Sequence, residues 1–73
     1  MKIKYYPDTD TLYIELNDNP IVETRDLDNF ILIDVDEQDN VCAMTIERAT
    51  QQANMPEIVF NIPNQKEDRK AAA

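Results

Sequence analysis

The 73-residue chain contains no glycine, histidine, tryptophan or serine and only one cysteine. Without imidazole it has no general base whose ordinary pKa lies near neutrality, and without serine it lacks the commonest hydroxyl nucleophile. Phosphate- and dinucleotide-binding loops depend on glycine for their close backbone approach, so those fingerprints are excluded. Zinc sites built from Cys and His are excluded by the same count. Cys42 has no partner for an internal disulfide. The residue types left for chemistry are carboxylates, a few tyrosines and one thiol.

What is present is acidic. Fifteen Asp and Glu face seven Lys and Arg, for a formal net charge of −8. Phosphate backbones are bound by lysine and arginine, so direct nucleic-acid binding is not expected, and a basic partner suits the charge better. No apolar run is long enough to span a membrane, and Met1-Lys2-Ile3-Lys4 is not followed by the apolar core of a signal peptide. A lone cysteine and no such segment lead to the expectation of a cytoplasmic protein. A chain this short buries only about 60% of its unfolded surface, so a homodimer or a small protein partner is expected to complete it.

Polar clusters punctuate the chain at Pro7-Asp8-Thr9-Asp10, Asn17-Asp18-Asn19-Pro20, Leu27-Asp28-Asn29 and Glu37-Gln38-Asp39-Asn40. In a protein without glycine, Asn and Asp tolerate positive φ best, so the three Asp-Asn pairs stand where Asn-Gly or Asp-Gly would otherwise turn a hairpin. Between the breaks lie alternating or apolar runs of strand character. Residues 2–6 put Ile3 and Tyr5 on one face, and residues 11–16 put Leu12, Ile14 and Leu16 there. Residues 30–35 are nearly continuously apolar, as in a central strand covered on both sides. Residues 41–47 form a fourth candidate, and residues 21–26, preceded by Pro20, suit an edge. Residues 49–54 are the one place for a short helix before Met55-Pro56. Residues 57–62 read as extended, either closing the sheet within the chain or adding to a second copy.

The expected fold is therefore mainly β to α+β: one small antiparallel meander of four or five strands with a short C-terminal helix or extended arm. Residues 1–63 form the domain, and residues 64–73 form a charged tail whose final Ala71-Ala72-Ala73 resembles a cloning remnant.

Each candidate chemical group has a plainer reading. Counted from Asp34 as the first position of a calcium loop, Gln38 falls at position five, Asp39 at six and Thr45 at twelve; the required glycine and bidentate glutamate are missing. Asp8 and Asp10 read as turn formers. Cys42, between Val41 and Ala43, reads as a small apolar residue. No catalytic residue, cofactor or metal site is assigned, and an enzyme is not the favoured reading. Tyr6, Tyr13, Phe30 and Leu32 fall together on the face opposite Ile3, Leu12, Ile14, Ile31 and Ile33, beside Lys2, Lys4, Glu15 and Asp34. Mixed aromatic and charged composition is that of a non-obligate protein interface, so these four are the candidate interaction surface, the other reading being that the C-terminal segment covers this face within the same chain. The alternative is a carboxylate-based ion-binding protein or small enzyme using Asp8, Asp10, Asp34 and Asp36.

The segments Lys4-Tyr5-Tyr6-Pro7 to Asp10, Leu12-Tyr13-Ile14-Glu15-Leu16, Val22-Glu23-Thr24-Arg25, Ile33-Asp34-Val35-Asp36 and Val41 to Thr50 resemble the domain-of-unknown-function family twenty-two eighty-three, over about residues 1–50. The resemblance implies a short bacterial or archaeal β-rich protein with no established activity. Members stand beside small toxin-like proteins, which implies an antitoxin or partner role. Members carry a glycine and, two residues on, a glutamate in the last strand. Here those positions hold Ala43 and Thr45, so an activity resting on that glutamate is not implied for this chain.

Overall fold

A computed structural model describes residues 1–53 and 61–63. It contains strands β1 (Lys2–Tyr6), β2 (Thr11–Glu15), β3 (Glu23–Asp28), β4 (Ile31–Val35) and β5 (Val41–Ile46), then a single helical turn, α1 (Ala49–Gln52). All four strand pairings are antiparallel, in the order β1-β2-β5-β4-β3. This is the expected antiparallel sheet with a short helix, built as a β1–β2 hairpin laid against a β3–β4–β5 meander.

Strand composition explains the order. The β5 run, Val-Cys-Ala-Met-Thr-Ile, has no charge on either face and takes the centre, where Cys42 and Ala43 are buried. The β3 run, Glu-Thr-Arg-Asp-Leu-Asp, is exposed throughout and takes an edge, as expected for the segment after Pro20. The centre is thus β5 rather than the 30–35 run. β4 lies one strand out, and only Val35 of its five residues is buried. Its apolar run meets neighbours along both edges, but no element among the described residues packs over both of its faces.

Joining β2 to β3 requires the chain to pass the ends of β5 and β4. Three strand spacings come to about 14 Å, within reach of the seven connecting residues. Backbone bonds tack this crossover down: Leu16 and Asn17 N–H donate to Cys42 C=O (2.7 and 3.3 Å), and Val22 N–H donates to Val35 C=O (2.9 Å).

Positive φ occurs at Asp10 (53°), Asp39 (67°) and Arg48 (52°). Of the three Asp-Asn pairs, only Asp39-Asn40 uses the left-handed region. Asp28 instead flanks a register shift in the β3–β4 ladder, and Asp18-Asn19 lies in the crossover. A bulge and a long connection turn the chain with ordinary backbone angles, so no left-handed residue is needed there. The helix spans Ala49–Gln52 where residues 49–54 were expected. Residue 54 of the expected helix, residues 57–60 of the expected extended segment 57–62, and the tail from residue 64 lie outside the described residues; Asn61 and Ile62 are exposed and outside any helix or strand.

Among the described residues, Leu12, Val35, Cys42, Ala43 and Ala49 form the buried apolar set. That is a thin core, as one sheet layer dictates, because a sheet buries a face only against a second layer.

Candidate interaction surface

Strand register sorts the side chains into two unlike faces. One carries the row Ile3, Ile14, Met44, Ile33, Arg25 and the row Tyr5, Leu12, Ile46, Ile31, Asp28. On this face the four strands from β1 to β4 present no charge within these rows; charge enters only on β3. The other face carries Lys4, Tyr13, Thr45, Leu32, Asp26 and, beside them, Lys2, Glu15, Ala43, Asp34, Thr24.

The structure places two of the four candidate surface residues in one cross-strand row. Tyr13 and Leu32 flank Thr45 from either side, about 10 Å apart across two strand spacings. Tyr6 stands on β1 opposite Thr11, exposed at the sheet edge. Phe30 sits just before β4, and the Arg48 guanidinium lies 4.6 Å from its ring centroid. Phe30 is thereby engaged within the chain by a cation–π contact.

The field on this face is negative around Tyr13. Burial pushes its phenol above the ordinary value, and the charges of Glu15 and Asp34 push it further the same way. Asp34 accepts a hydrogen bond from Thr24 Oγ1 at 2.6 Å. Ala43 and Thr45 stand at the centre of the surface. Ala43 lies between Glu15 and Asp34, and Thr45 between Tyr13 and Leu32. A glutamate in place of Thr45 would set a carboxylate between those two side chains; here the position is uncharged.

Of the four carboxylates of the ion-binding alternative, Asp10, Asp34 and Asp36 each accept hydrogen bonds from protein donors. Asp36 is only 4% exposed. One of its oxygens accepts the Gln38 and Asn40 N–H groups, both at 2.9 Å, and the other accepts Asn19 Nδ2 (3.1 Å) and Asn40 Nδ2 (3.4 Å). The Asn40 N–H is the main influence holding this carboxyl below its usual range, against burial, which pushes upward. Asp36 is a clasp that closes the β4–β5 turn and pins the crossover through Asn19. A groove lined by Asn19, Pro20, Asp36, Glu37 and Gln38 lies beside it, but the Asp36 oxygens point to protein donors.

Asp10 is a second clasp at the opposite end of the sheet. It accepts Tyr5 Oη–H (2.7 Å) and Thr50 Oγ1–H (2.7 Å), and the Thr50 N–H lies 3.2 Å from its carboxylate. Its backbone C=O accepts the Ala49 N–H at 2.8 Å. The residue at the α1 N-cap, Arg48, supplies no side-chain cap. The cap comes instead from forty residues earlier in the chain. The Tyr5 hydroxyl holds the Asp10 carboxyl low, and Asp10 in turn raises the Tyr5 phenol. Asp8 takes no part in this clasp. On the β3 side, Arg25 bridges Glu23 (3.0 Å) and Asp39 (2.7 Å) in the open. Cys42 is buried and its thiol is pushed up, first by burial and then by Asp36 and Asp34.

Sequence reading assigned Asp10 a local turn and left Asp36 among ligand candidates. The signal for Asp36 was its spacing to Asn40, a pattern by which Asp bonds backbone groups in a following turn. No local signal marked the left-handed Arg48, which directly precedes the fully buried Ala49.

Among the described residues, no group of three or more His, Cys, Asp or Glu side chains is placed to hold a metal ion, and no helix is long and apolar enough to cross a membrane. No curated protein and no solved structure matches the chain significantly. With the paired strands, the Asp10 turn and the β5 centre all falling within residues 2–49, the span matched by the family model, the chain belongs to the family described as protein of unknown function (DUF2283).

Proposed function

We propose that this chain is a small acidic protein-interaction module whose polar face receives a basic protein partner, in a role of the antitoxin kind. The observation that carries the reading is the row Tyr13–Thr45–Leu32, an apolar and aromatic centre flanked by Glu15, Asp34 and Asp26. An aromatic centre supplies desolvated contact, and the carboxylates around it supply steering and selection by charge. Charge placement supports this. Residues 1–53 hold twelve acidic and four basic side chains, a difference of eight that equals the net charge of the whole chain. The sheet unit, rather than the tail, is what attracts cations. Lys2 and Lys4 at the β1 end make the face graded, so a basic partner would bind away from β1, over β2, β5, β4 and β3.

A 15N-labelled chain titrated with a synthetic amphipathic Lys/Leu peptide tests this. Shifts are expected at Tyr13, Thr45, Leu32 and Asp34, weakening as salt is raised and weakening with Tyr13→Ala. Absence of shifts, or shifts spread over the acidic turns and indifferent to Tyr13→Ala, would refute it.

A further inference from the structure

We infer that the aliphatic face, opposite the surface just proposed, is the contact surface for a second copy of this chain, so that two sheets stack about a two-fold axis. This goes beyond the partner reading and does not depend on it. Ile3, Tyr5 and Leu16 remain 43%, 39% and 47% exposed, while Ile14, Ile33 and Met44 along the central row are half-buried. The apolar area left open comes to roughly 300–500 Å² per copy, the size at which a surface patch marks an interaction site. Two such faces with their rims reach the lower end of the roughly 1,200–2,000 Å² total that specific interfaces bury.

Charge placement selects a second copy over a charged partner here. Within its cross-strand rows the face carries no charged side chain on β1, β2, β5 or β4, and the Asp10 carboxylate meets its rim at the Tyr5 hydroxyl (2.7 Å), while the chain's −8 is spread over its loops, its polar face and β3. Stacking through this face turns those charges outward and keeps the two sets of carboxylates apart. Sheets pack face to face at about 10 Å with interdigitating side chains, which the Ile, Leu and Met rows provide. Joining copies by their edges is less favourable. Two-fold pairings of β1 with itself centred on Lys2, Ile3 or Lys4 set lysine against lysine. The other edge, β3, is interrupted by the register shift between Asp26 and Asp28 and carries three carboxylates.

Sedimentation equilibrium of the full chain from about 1 to about 200 µM tests the inference. A monomer–dimer equilibrium is expected, tightening with added salt as repulsion between acidic copies is screened. The Lys/Leu peptide contact should respond to salt in the opposite sense, so the two readings can fail separately. Ile3→Glu should weaken the dimer at least about tenfold, while Tyr6→Glu, on the same strand but the other face, leaves it within about twofold. Far-UV circular dichroism checks folding, and Leu16→Gln, outside any strand, replaces Ile3→Glu if that variant unfolds. A chain monomeric throughout the range would overturn the inference, as would a dimer indifferent to Ile3→Glu and Leu16→Gln or equally sensitive to Tyr6→Glu.

Discussion

Leu12 and Leu16 offer a matched test of where stability resides. Both are leucines on the aliphatic side of the β2 segment, yet Leu12 is 7% exposed and Leu16 is 47% exposed. Leu12 lies between Tyr5 and Ile46 in register, near the middle of the sheet. Truncation to alanine removes three carbons, worth about 2.4 kcal/mol at about 0.8 kcal/mol for each buried methylene. A residual cavity adds to this, so Leu12→Ala should cost about 2.5–4 kcal/mol. Leu16 has already left about half its surface in water and leaves no enclosed void, so Leu16→Ala should cost about 1 kcal/mol. For a chain of this size, total stability is about 4–10 kcal/mol, so the first change consumes a large share and the second does not. Urea denaturation followed by far-UV circular dichroism, repeated at two protein concentrations so that any contribution from self-association shows as a shift of the midpoint, separates the two. In thermal terms, Leu12→Ala should lower the midpoint by at least about 10 °C. Equal costs within about 0.5 kcal/mol would refute the assignment of the core, because identical chemistry would then be insensitive to the burial difference.

Other outcomes follow from the clasps and the thiol. Asp36 and Asp10 are held below their ordinary pKa values in the folded chain. A depressed folded value means that the folded state binds fewer protons, so the contribution is present above the unfolded carboxylate range and lost as pH falls through the folded value. Stability should therefore decline below about pH 4, the unfolded carboxylate range, and Asp36→Asn should flatten that decline while loosening the crossover, read from amide exchange at Asn19 and Asn40. Asp10→Ala should bring the Tyr5 phenol down toward its ordinary value, followed by absorbance near 295 nm, and should expose the Thr50 N–H to exchange. An unchanged Tyr5 titration would refute the 2.7 Å contact. Cys42 should resist a disulfide reagent in the native chain at neutral pH and react only as the chain unfolds. Rapid native labelling would contradict its burial.

Strand runs at 2–6, 11–16 and 41–47 were legible from alternation with a period of two, and 30–35 from a nearly continuous apolar run, because both signals depend only on local side-chain order. The same alternation placed Tyr13 and Leu32 on one face and Ile14 and Ile33 on the other, since a face follows from parity along each strand. Neighbour identity is different. Whether β2 lies beside β3 or β5 depends on which strands can be buried along both edges, a comparison over the whole chain that no local window contains. Asp36 and Asp10 show the same limit, since a carboxylate in a polar turn looks alike in sequence whether it meets solvent or four protein donors. The missing glycine likewise constrained the turns without choosing among them: Asp39 uses positive φ as expected, Asp28 does not, and Arg48 does so without any local cue.

By itself, then, the sequence determined the acidic balance, the absence of imidazole and glycine chemistry, the strand segments and the two-faced character of each. Those properties reside in residue type and spacing. Only the tertiary structure decided that β5 is the centre, that Asp10 caps a helix forty residues away, and that Asp36 ties the crossover to the β4–β5 turn. It also decided that Asp10, Asp34 and Asp36 accept hydrogen bonds from protein donors. These outcomes depend on distances between residues far apart in the chain, which folding sets when one sheet maximises burial along its least polar strand.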